Sequence, residues 1–259
     1  MSESYGVNLL TGATGCGKST LAKIACDDLA SKFKWSHPRI AWRDTSKCLD
    51  ESKKRKTNAG LMLIEQNADQ LAGKILSPKP VFESVTENIS WIPGSMGLET
   101  FNLAGSPRTP NEAELFLNAF GKRRLRVFHI ISTPEQVYAA IVRRIESGEL
   151  REDDGPRTFQ TKMAEYDNKV VPAIKHIPRD ILTEIKYEMP LFEKVELFVK
   201  KMVIPDNIRK RMLTRLHTRN HPVRQTINGI VNARPQQAAV HPVRTFFHPL
   251  GNMSTSVQA

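Results

Sequence analysis

The stretch "GATGCGKST", residues 12–20, is the most specific pattern in this chain. It fits the pattern G-x-x-x-x-G-K-[ST] in full, with Gly12, Gly17, Lys18 and Ser19 at the fixed positions. Glycines in such a loop let successive backbone N–H groups turn inward around an anion. In this pattern the lysine reaches the β- and γ-phosphates of a nucleotide, and the hydroxyl ligates Mg²⁺. The stretch therefore predicts a nucleotide site with Mg²⁺, in which Ser19 is the metal ligand.

The residues on either side of the loop support this prediction. A short apolar run, "YGVNLL" (5–10), comes before it and is typical of a buried strand. The stretch "STLAKIACDDLASKF" (19–33) has the pattern of a helix whose N-terminus faces the phosphates. The loop residues predicted to bind the nucleotide are Gly12, Thr14, Gly15, Cys16, Gly17, Lys18, Ser19 and Thr20.

The composition is that of a globular protein. Of the 259 residues 40% are hydrophobic, and no run approaches the ~18 apolar residues of a membrane span, so no membrane partner is predicted. The N-terminus has neither a secretory apolar region nor an Arg-rich presequence, which predicts an intracellular, cytoplasmic protein, with a mitochondrial location as the alternative. The 3 cysteines are too few and too scattered for a disulfide framework or a zinc cage.

The positive charge is concentrated at the C-terminal end. The formal net charge is +11, and residues 205–259 contribute +7 of it, because eight Lys and Arg residues stand there against one Asp. This segment also repeats "HPVR" at 221 and 241. The pattern predicts a globular body over 1–204 followed by a basic C-terminal extension over 205–259.

Apolar strands and helical stretches alternate along the body. Strands are predicted at 7–10, 39–42, 100–105, 125–132 and 180–188. Helices are predicted at 19–33, from 45 towards 67, and at 80–92, 114–123, 133–145 and 190–202. Alternation of this kind is typical of a parallel sheet covered by helices, so the predicted fold class is α/β.

Two further stretches contain arginines that could bind phosphate groups. "AGSPRTPNEA" (104–113) follows a predicted strand, and "RRIESGELREDDGPRTFQTKMAEY" (143–166) links two helices. Phosphoryl transfer needs fixed positive charge around oxygens that share negative charge, and the planar fork of arginine binds two such oxygens at once.

On these motifs the chain resembles the adenylate kinase family and its uridylate and cytidylate kinase relatives, over most of residues 5–200. "AGSPRT" resembles the family's D-G-F-P-R segment, which puts Arg108 on the arginine that contacts the acceptor phosphate. "LREDD" resembles the G-R-x-D-D segment of the lid, which puts Arg151 on a catalytic arginine. Arg143 matches the arginine that packs on the donor base. The resemblance implies a three-layer P-loop nucleotide kinase fold with an acceptor-binding helical arm at about 44–95 and a short lid at about 143–154.

The chain also departs from the family pattern. Lys47 and Lys162 stand where arginines are usual, which keeps the charge but loses the two-pronged geometry. Ala104 replaces an aspartate that helps to hold the water shell of the metal, and Ser147 replaces a further lid arginine. Glu112 takes the place of the amide residue that reads the acceptor base, so Lys47, Arg108, Glu112, Arg151 and Lys162 are the predicted substrate-binding residues.

Two functions follow from the resemblance and the departures. The first is a slow nucleoside monophosphate kinase that moves the γ-phosphoryl group of ATP, with Lys18, Arg108 and Arg151 stabilising the transition state. The second is a nucleotide-binding pseudokinase that serves as a structural or assembly component through its basic extension.

The extension is either a solvated, disordered end or a segment that binds a protein or RNA partner. "NIRKRMLTRLHTRNH" (207–221) has the pattern of a basic amphipathic helix, which suits an RNA backbone or an acidic protein groove. On this hypothesis, deletion of 205–259 leaves ATP binding intact.

Overall fold

Five short strands form one parallel sheet in this computed structural model, which describes residues 5–30, 39–92, 97–146, 156–218, 224–225, 227–228 and 230. The strands lie in the order β2-β3-β1-β4-β5, and every neighbouring pair is parallel. Their bounds are β1 Gly6–Gly12, β2 Ile40–Asp44, β3 Thr100–Ala104, β4 Leu125–Ile131 and β5 Leu182–Lys186. The predicted α/β class is confirmed, and β1, which leads into the loop at 12–20, is the central strand.

The helices connect and cover these strands. In the described part of the chain they are α1 Lys18–Lys23, continued by a π-helix over Ile24–Ala30, α2 Thr45–Arg55, α3 Asn58–Glu65, α4 Asn67–Leu71, α5 Pro78–Ser90, α6 Pro110–Arg124, α7 Pro134–Glu146, α8 Pro156–Glu165, a π-helical turn Tyr166–Val170, α9 Val171–His176, α10 Leu191–Lys201 and α11 Asp206–His217. None of these helices has both the length and the apolar character that a membrane crossing needs.

Both faces of the sheet are buried under helices. Successive strand residues point to opposite sides, so each strand contributes side chains to both faces. On one side, Leu9 and its neighbours pack against α5, α6 and α9, and we call these buried residues the first core cluster. On the other side, Leu10, Phe128 and Ile185 pack against α1, α10 and α11 as the second core cluster. The strands are therefore nearly continuous apolar runs, as expected for a parallel sheet with two covered faces.

A buried polar chain crosses the middle of the sheet. The Asn8 side chain donates hydrogen bonds to Thr100 Oγ1 at 2.9 Å and to Asn102 Oδ1 at 3.0 Å, and its own Oδ1 accepts one from the Val203 backbone at 2.8 Å. All three side chains are buried. Because a buried amide is costly unless it is paired, this chain of bonds fixes how β1 and β3 meet and where the segment after α10 crosses them.

The helical stretch predicted from residue 45 towards 67 is present, but it is not one continuous helix. The structure divides it into α2, α3 and α4, since Lys56 takes a left-handed backbone conformation with φ 52° and ends α2. Thr57 then begins α3 by accepting a hydrogen bond from the Gly60 backbone at 3.1 Å. These breaks let three short helices wrap into an arm beside the sheet.

The helix predicted in the basic extension is present as α11, but it packs on the body. Its apolar residues Ile208, Met212 and Leu216 are at most 1% exposed and belong to the second core cluster. The apolar face of α11 is therefore covered by the protein itself. Deletion from residue 205 would therefore remove part of the second core cluster, and its effect on ATP binding stays a prediction.

Candidate functional site

A cavity of about 750 Å³ opens at the carboxyl edge of the sheet. It is lined by residues that follow β1, β2 and β3, together with residues of α4, α7, α8 and the turn after α8. Ligands of open α/β sheets bind at this edge, where the loops after neighbouring strands come together. The loop predicted from sequence to bind the nucleotide forms its floor, and seven of its eight named residues line the cavity; the eighth, Cys16, is buried.

Two glycines make the path of the loop possible. Gly12 has φ +140°, and a Cβ at this position would lie 2.6 Å from the Ile130 carbonyl oxygen on β4. Gly15 has φ +79°, and its added Cβ would lie 3.1 Å from Ala140 Cβ on α7. Residues with a side chain are strained at such φ values, and here they also lack space. The loop can therefore run close to both β4 and α7.

Lys18 lies across the mouth of the loop. Its Nζ donates hydrogen bonds to the carbonyl oxygens of Gly12 at 3.0 Å and Ala13 at 2.7 Å. A compact ammonium group held by two carbonyls can turn to phosphate oxygens with little movement of its stem. Lys18 is thus in reach of any anion that the loop binds.

Ser19 contacts a carboxylate that the sequence analysis missed. Its hydroxyl donates a hydrogen bond to Asp44 Oδ1 at 2.5 Å. Asp44 is the last residue of β2, and it pairs in register with Ala104 at the end of β3. Its signal in the sequence was its place two residues after the predicted strand at 39–42.

The Ser19–Asp44 pair fits Mg²⁺. This cation prefers oxygen ligands, and it is commonly held by one or two protein oxygens while phosphates and water fill the other positions. Within the described residues no group of three or more His, Cys, Asp or Glu could hold a metal ion. The pair would therefore hold the cation jointly with a bound nucleotide.

Arg108 lines the cavity on the loop after β3. Its Nε donates a hydrogen bond to the Gly105 carbonyl at 2.6 Å, and its backbone N–H donates one to Glu112 Oε2 at 2.9 Å. The first bond holds the guanidinium group, and the second holds the backbone that carries it.

Glu112, a predicted substrate-binding residue, is not among the residues that line the cavity. It is 1% exposed and lies at the start of α6, where its backbone N–H also donates to Thr109 Oγ1 at 3.1 Å. Burial raises the pKa of this carboxyl, while Arg108 and the hydrogen bond from Ser106 act in the opposite direction. In this structure Glu112 supports the loop that carries Arg108.

Lys162 faces the cavity from α8, close to the arm. A Cβ added on Gly73, after α4, would lie 3.3 Å from Lys162 Cγ. The backbone N–H of Ile75 donates a hydrogen bond to Glu165 Oε2 on α8 at 2.7 Å. The arm and α8 thus meet on one side of the cavity, and Lys162 lies at their junction.

The remaining predicted site residues are distributed as follows. Arg143 on α7 lines the cavity and donates a hydrogen bond from Nη2 to the Tyr187 hydroxyl at 2.8 Å. Lys47 is exposed on α2 and is not among the residues that line the cavity. Arg151 and Ser147 lie outside the described residues, as does much of the predicted lid.

A buried histidine supports the cavity from below. His129 on β4 is 6% exposed, and its Nε2 lies 2.9 Å from the hydroxyl of Tyr166, which lines the cavity. Burial, and secondly the charge of Lys18, lowers the pKa of His129 to about 4. Burial raises the pKa of Tyr166 to about 12. Both side chains are therefore neutral near pH 7, and they form a fixed polar contact beneath the loop.

Comparison with known proteins finds several adenylate kinases that are similar to this chain. The adenylate kinase of Bartonella henselae is 26% identical over 172 residues, which cover 63% of this chain and 82% of the relative. The adenylate kinase of Rhizobium meliloti is 27% identical over 180 residues (66% and 85%), and that of Chelativorans sp. is 27% identical over 174 residues (64% and 82%). No family model matches the chain.

Proposed function

We propose that this chain, an adenylate kinase-like protein by fold and by sequence similarity, transfers the γ-phosphoryl group of ATP to a nucleoside monophosphate. The observation that carries the proposal is the shared cavity. Lys18, the Ser19–Asp44 pair and Arg108 line one space of about 750 Å³, which has room for a donor phosphate chain and an acceptor phosphate together.

The donor side is built by the loop at 12–20. Its backbone N–H groups surround the β- and γ-phosphates, and Lys18 moves from the Gly12 and Ala13 carbonyls to the transferred group. Ser19 and Asp44 would hold Mg²⁺, which when bound neutralises charge on the phosphate oxygens. Because phosphoryl transfer depends on positioning and on fixed positive charge, these groups supply what the step requires.

The acceptor side is built by Arg108 and Lys162. Arg108 is held by Gly105 and Glu112, so its fork is oriented before the acceptor phosphate arrives. Lys162 adds charge from α8, and Arg151 is assigned to the transition state by resemblance alone. Ala104 supplies no carboxylate next to Asp44, and Lys162 binds one oxygen where an arginine binds two. We therefore propose slow turnover.

These residues do not indicate which base the acceptor monophosphate carries. In the described geometry Glu112 faces the Arg108 backbone, and Lys47 lies outside the cavity lining. ADP formation from ATP and Mg²⁺ should therefore be measured with AMP, CMP, UMP, GMP and dTMP in turn. Turnover with one of them supports the proposal. ATP binding without turnover on any of the five would contradict it.

The role of Arg108 gives this assay a matched control. Arg108→Ala should raise the KM for the monophosphate and lower kcat, since acceptor and transition state share the contact. Arg123→Ala changes an arginine at the end of α6, away from the cavity lining, and should leave both constants unchanged.

A second candidate function is assembly with an anionic polymer, and a basic cleft favours it. This cleft, of about 460 Å³, lies at the opposite edge of the sheet from the nucleotide cavity. Its charged lining consists of Arg126, Arg179, Asp180, Lys200, Lys201 and Arg209. Because the apolar face of α11 is already buried, we propose an RNA backbone rather than an apolar groove as the partner of the extension.

Binding of a single-stranded RNA of mixed sequence tests the second candidate. Affinity should fall steeply with salt, with a log–log slope of several units, and Arg179→Glu with Lys201→Glu should weaken it. An RNA affinity that does not depend on salt concentration, or that is unchanged in the charge-reversal variant, would contradict RNA binding at this cleft. An intracellular, cytoplasmic location is proposed for either function, since both need ATP or RNA.

A further inference from the structure

The C-terminal extension reaches the nucleotide cavity. Ile230 lines the same cavity as the loop at 12–20, although it lies more than two hundred residues further along the chain. Among the described lining residues, Ile75, Val170 and Ile230 are the branched aliphatic ones. Ile75 and Val170 belong with the first core cluster, whereas Ile230 packs against the second. Ile230 therefore forms an apolar wall on the side of α1, α10 and α11, away from the arm.

The residues just before Ile230 anchor the segment to the body. Ile227 is 3% exposed and is part of the second core cluster with Leu216. The guanidinium carbon of Arg224 lies 5.0 Å from the centre of the Phe192 ring at the start of α10. An arginine over an aromatic face and a buried isoleucine are stabilising contacts. They hold the chain along α10 as it approaches the cavity.

This side of the cavity differs in chemistry from the phosphate floor. Arg143 donates its hydrogen bond to the Tyr187 hydroxyl, which ties α7 to the loop between β5 and α10. Tyr187 and Met189 in that loop pack against the second core cluster, as Ile230 does. Lys194, only 7% exposed, donates to the Tyr187 carbonyl and so fixes the loop in place. A planar guanidinium and apolar side chains suit a flat, largely apolar ring better than a phosphate.

We propose that Ile230 contacts the nucleoside of the donor nucleotide and contributes to its binding. The inference rests on the proposed function, which binds the ATP phosphates at the loop. With the phosphates held there, the nucleoside extends towards one side of the cavity or the other. Arg108, Lys162 and the arm occupy one side, and Arg143 and Ile230 occupy the other. The extension thus completes the donor half of the site.

Calorimetric titration of the full chain with ATP and with inorganic tripolyphosphate tests the proposal. Tripolyphosphate carries the phosphate chain without a nucleoside, so it reports the loop alone. Ile230→Ala should weaken ATP binding about five- to tenfold, because most of a branched side chain leaves the nucleoside contact, and should leave tripolyphosphate binding unchanged. Ile230→Val should retain most of the ATP affinity. Ile64→Ala, the same change at an exposed position on α3, is the matched control.

Three results would overturn the inference: equal ATP affinity of Ile230→Ala and wild type, equal loss for ATP and tripolyphosphate, or tighter ATP binding by the variant. The second would mean that Ile230 acts on the loop, and the third that it obstructs the cavity. A different result would contradict the proposed function alone. In that case Ile230→Ala weakens ATP binding as expected, but the wild-type protein transfers no phosphoryl group to any monophosphate.

Discussion

The Ser19 hydroxyl donates a hydrogen bond to Asp44 Oδ1 at 2.5 Å, which joins the start of α1 to the end of strand β2. The two residues are 25 positions apart in the sequence. They meet because the carboxyl ends of parallel strands lie along one edge of the sheet. The contact places a carboxylate beside the hydroxyl that the phosphate-binding pattern assigns to Mg²⁺.

Asp44→Asn tests whether this carboxylate holds the cation. The amide keeps the shape of the side chain but loses its charge, so the Mg²⁺ concentration for half-maximal activity should rise about tenfold or more. Asp50→Asn, on the exposed side of α2, is the matched control and should not change it. A titration of activity against Mg²⁺ makes the measurement. An unchanged Mg²⁺ requirement in the Asp44 variant would remove Asp44 from the metal site.

Ala104→Asp is expected to increase activity. Ala104 lines the cavity and is the register partner of Asp44, so an aspartate there would put a second carboxylate next to the first. We expect kcat at saturating Mg²⁺ to rise about tenfold, because the added group helps to orient the metal's ligands. Ala104→Asn is the isosteric control without charge. If both variants are equally slow, the missing carboxylate does not limit turnover.

His129 predicts a dependence of stability on pH. Its pKa is about 4 in the folded protein and near 6.5 when unfolded, so the unfolded chain binds more protons between these values. The free energy of unfolding should therefore fall as the pH drops from 6.5 to 4. The raised pKa of Glu112 works in the opposite direction, so comparison with a variant is needed.

His129→Gln provides that comparison, because its amide can still reach the Tyr166 hydroxyl while it does not titrate. Urea unfolding at several pH values should show wild type losing stability relative to the variant below pH 6.5. Parallel pH profiles for the two proteins would show that His129 is not the titrating group.

Met212→Ala should destabilise the whole protein. The side chain is fully buried in the second core cluster, so its removal leaves a cavity and should cost about 2–5 kcal/mol of unfolding free energy. Lys210→Ala, one of the exposed positions on the same helix, should change it by less than about 0.5 kcal/mol. Chemical denaturation measures both. A Met212 variant as stable as wild type would mean that α11 is not part of the folded core in solution.

Local features of the fold could be read from the sequence with good accuracy. The glycine pattern at 12–20 predicted both the loop and its flanking strand and helix. Thr133 and Gln136 have the spacing of a capping box at the start of α7, and Thr133 Oγ1 accepts from the Gln136 backbone at 3.4 Å while Gln136 Oε1 accepts from the Thr133 backbone at 2.9 Å. Signals of this kind lie within a few residues of each other, so the sequence contains them directly.

The missed features depend on contacts between distant parts of the chain. Asp44 reaches Ser19 because β2 and β1 end at the same edge of the sheet with β3 between them, and neither strand's sequence contains this strand order. His129 meets Tyr166 only because β4 passes beneath the turn after α8. The helix at 207–217 has a correct amphipathic pattern, but a pattern does not tell whether its apolar face meets a partner or the same protein. Ile230 has no local signal of any kind.

Transfer of labelled phosphate measures the proposed reaction itself. With ATP labelled on its γ-phosphate and the best acceptor of the five monophosphates, we expect the label to appear in the corresponding nucleoside diphosphate. Lys18→Ala should reduce that transfer by at least a factor of about 10²–10³, since it removes the positive charge that Lys18 places beside the transferred phosphoryl group. Label released only as inorganic phosphate, or transfer that survives Lys18→Ala, would contradict the account.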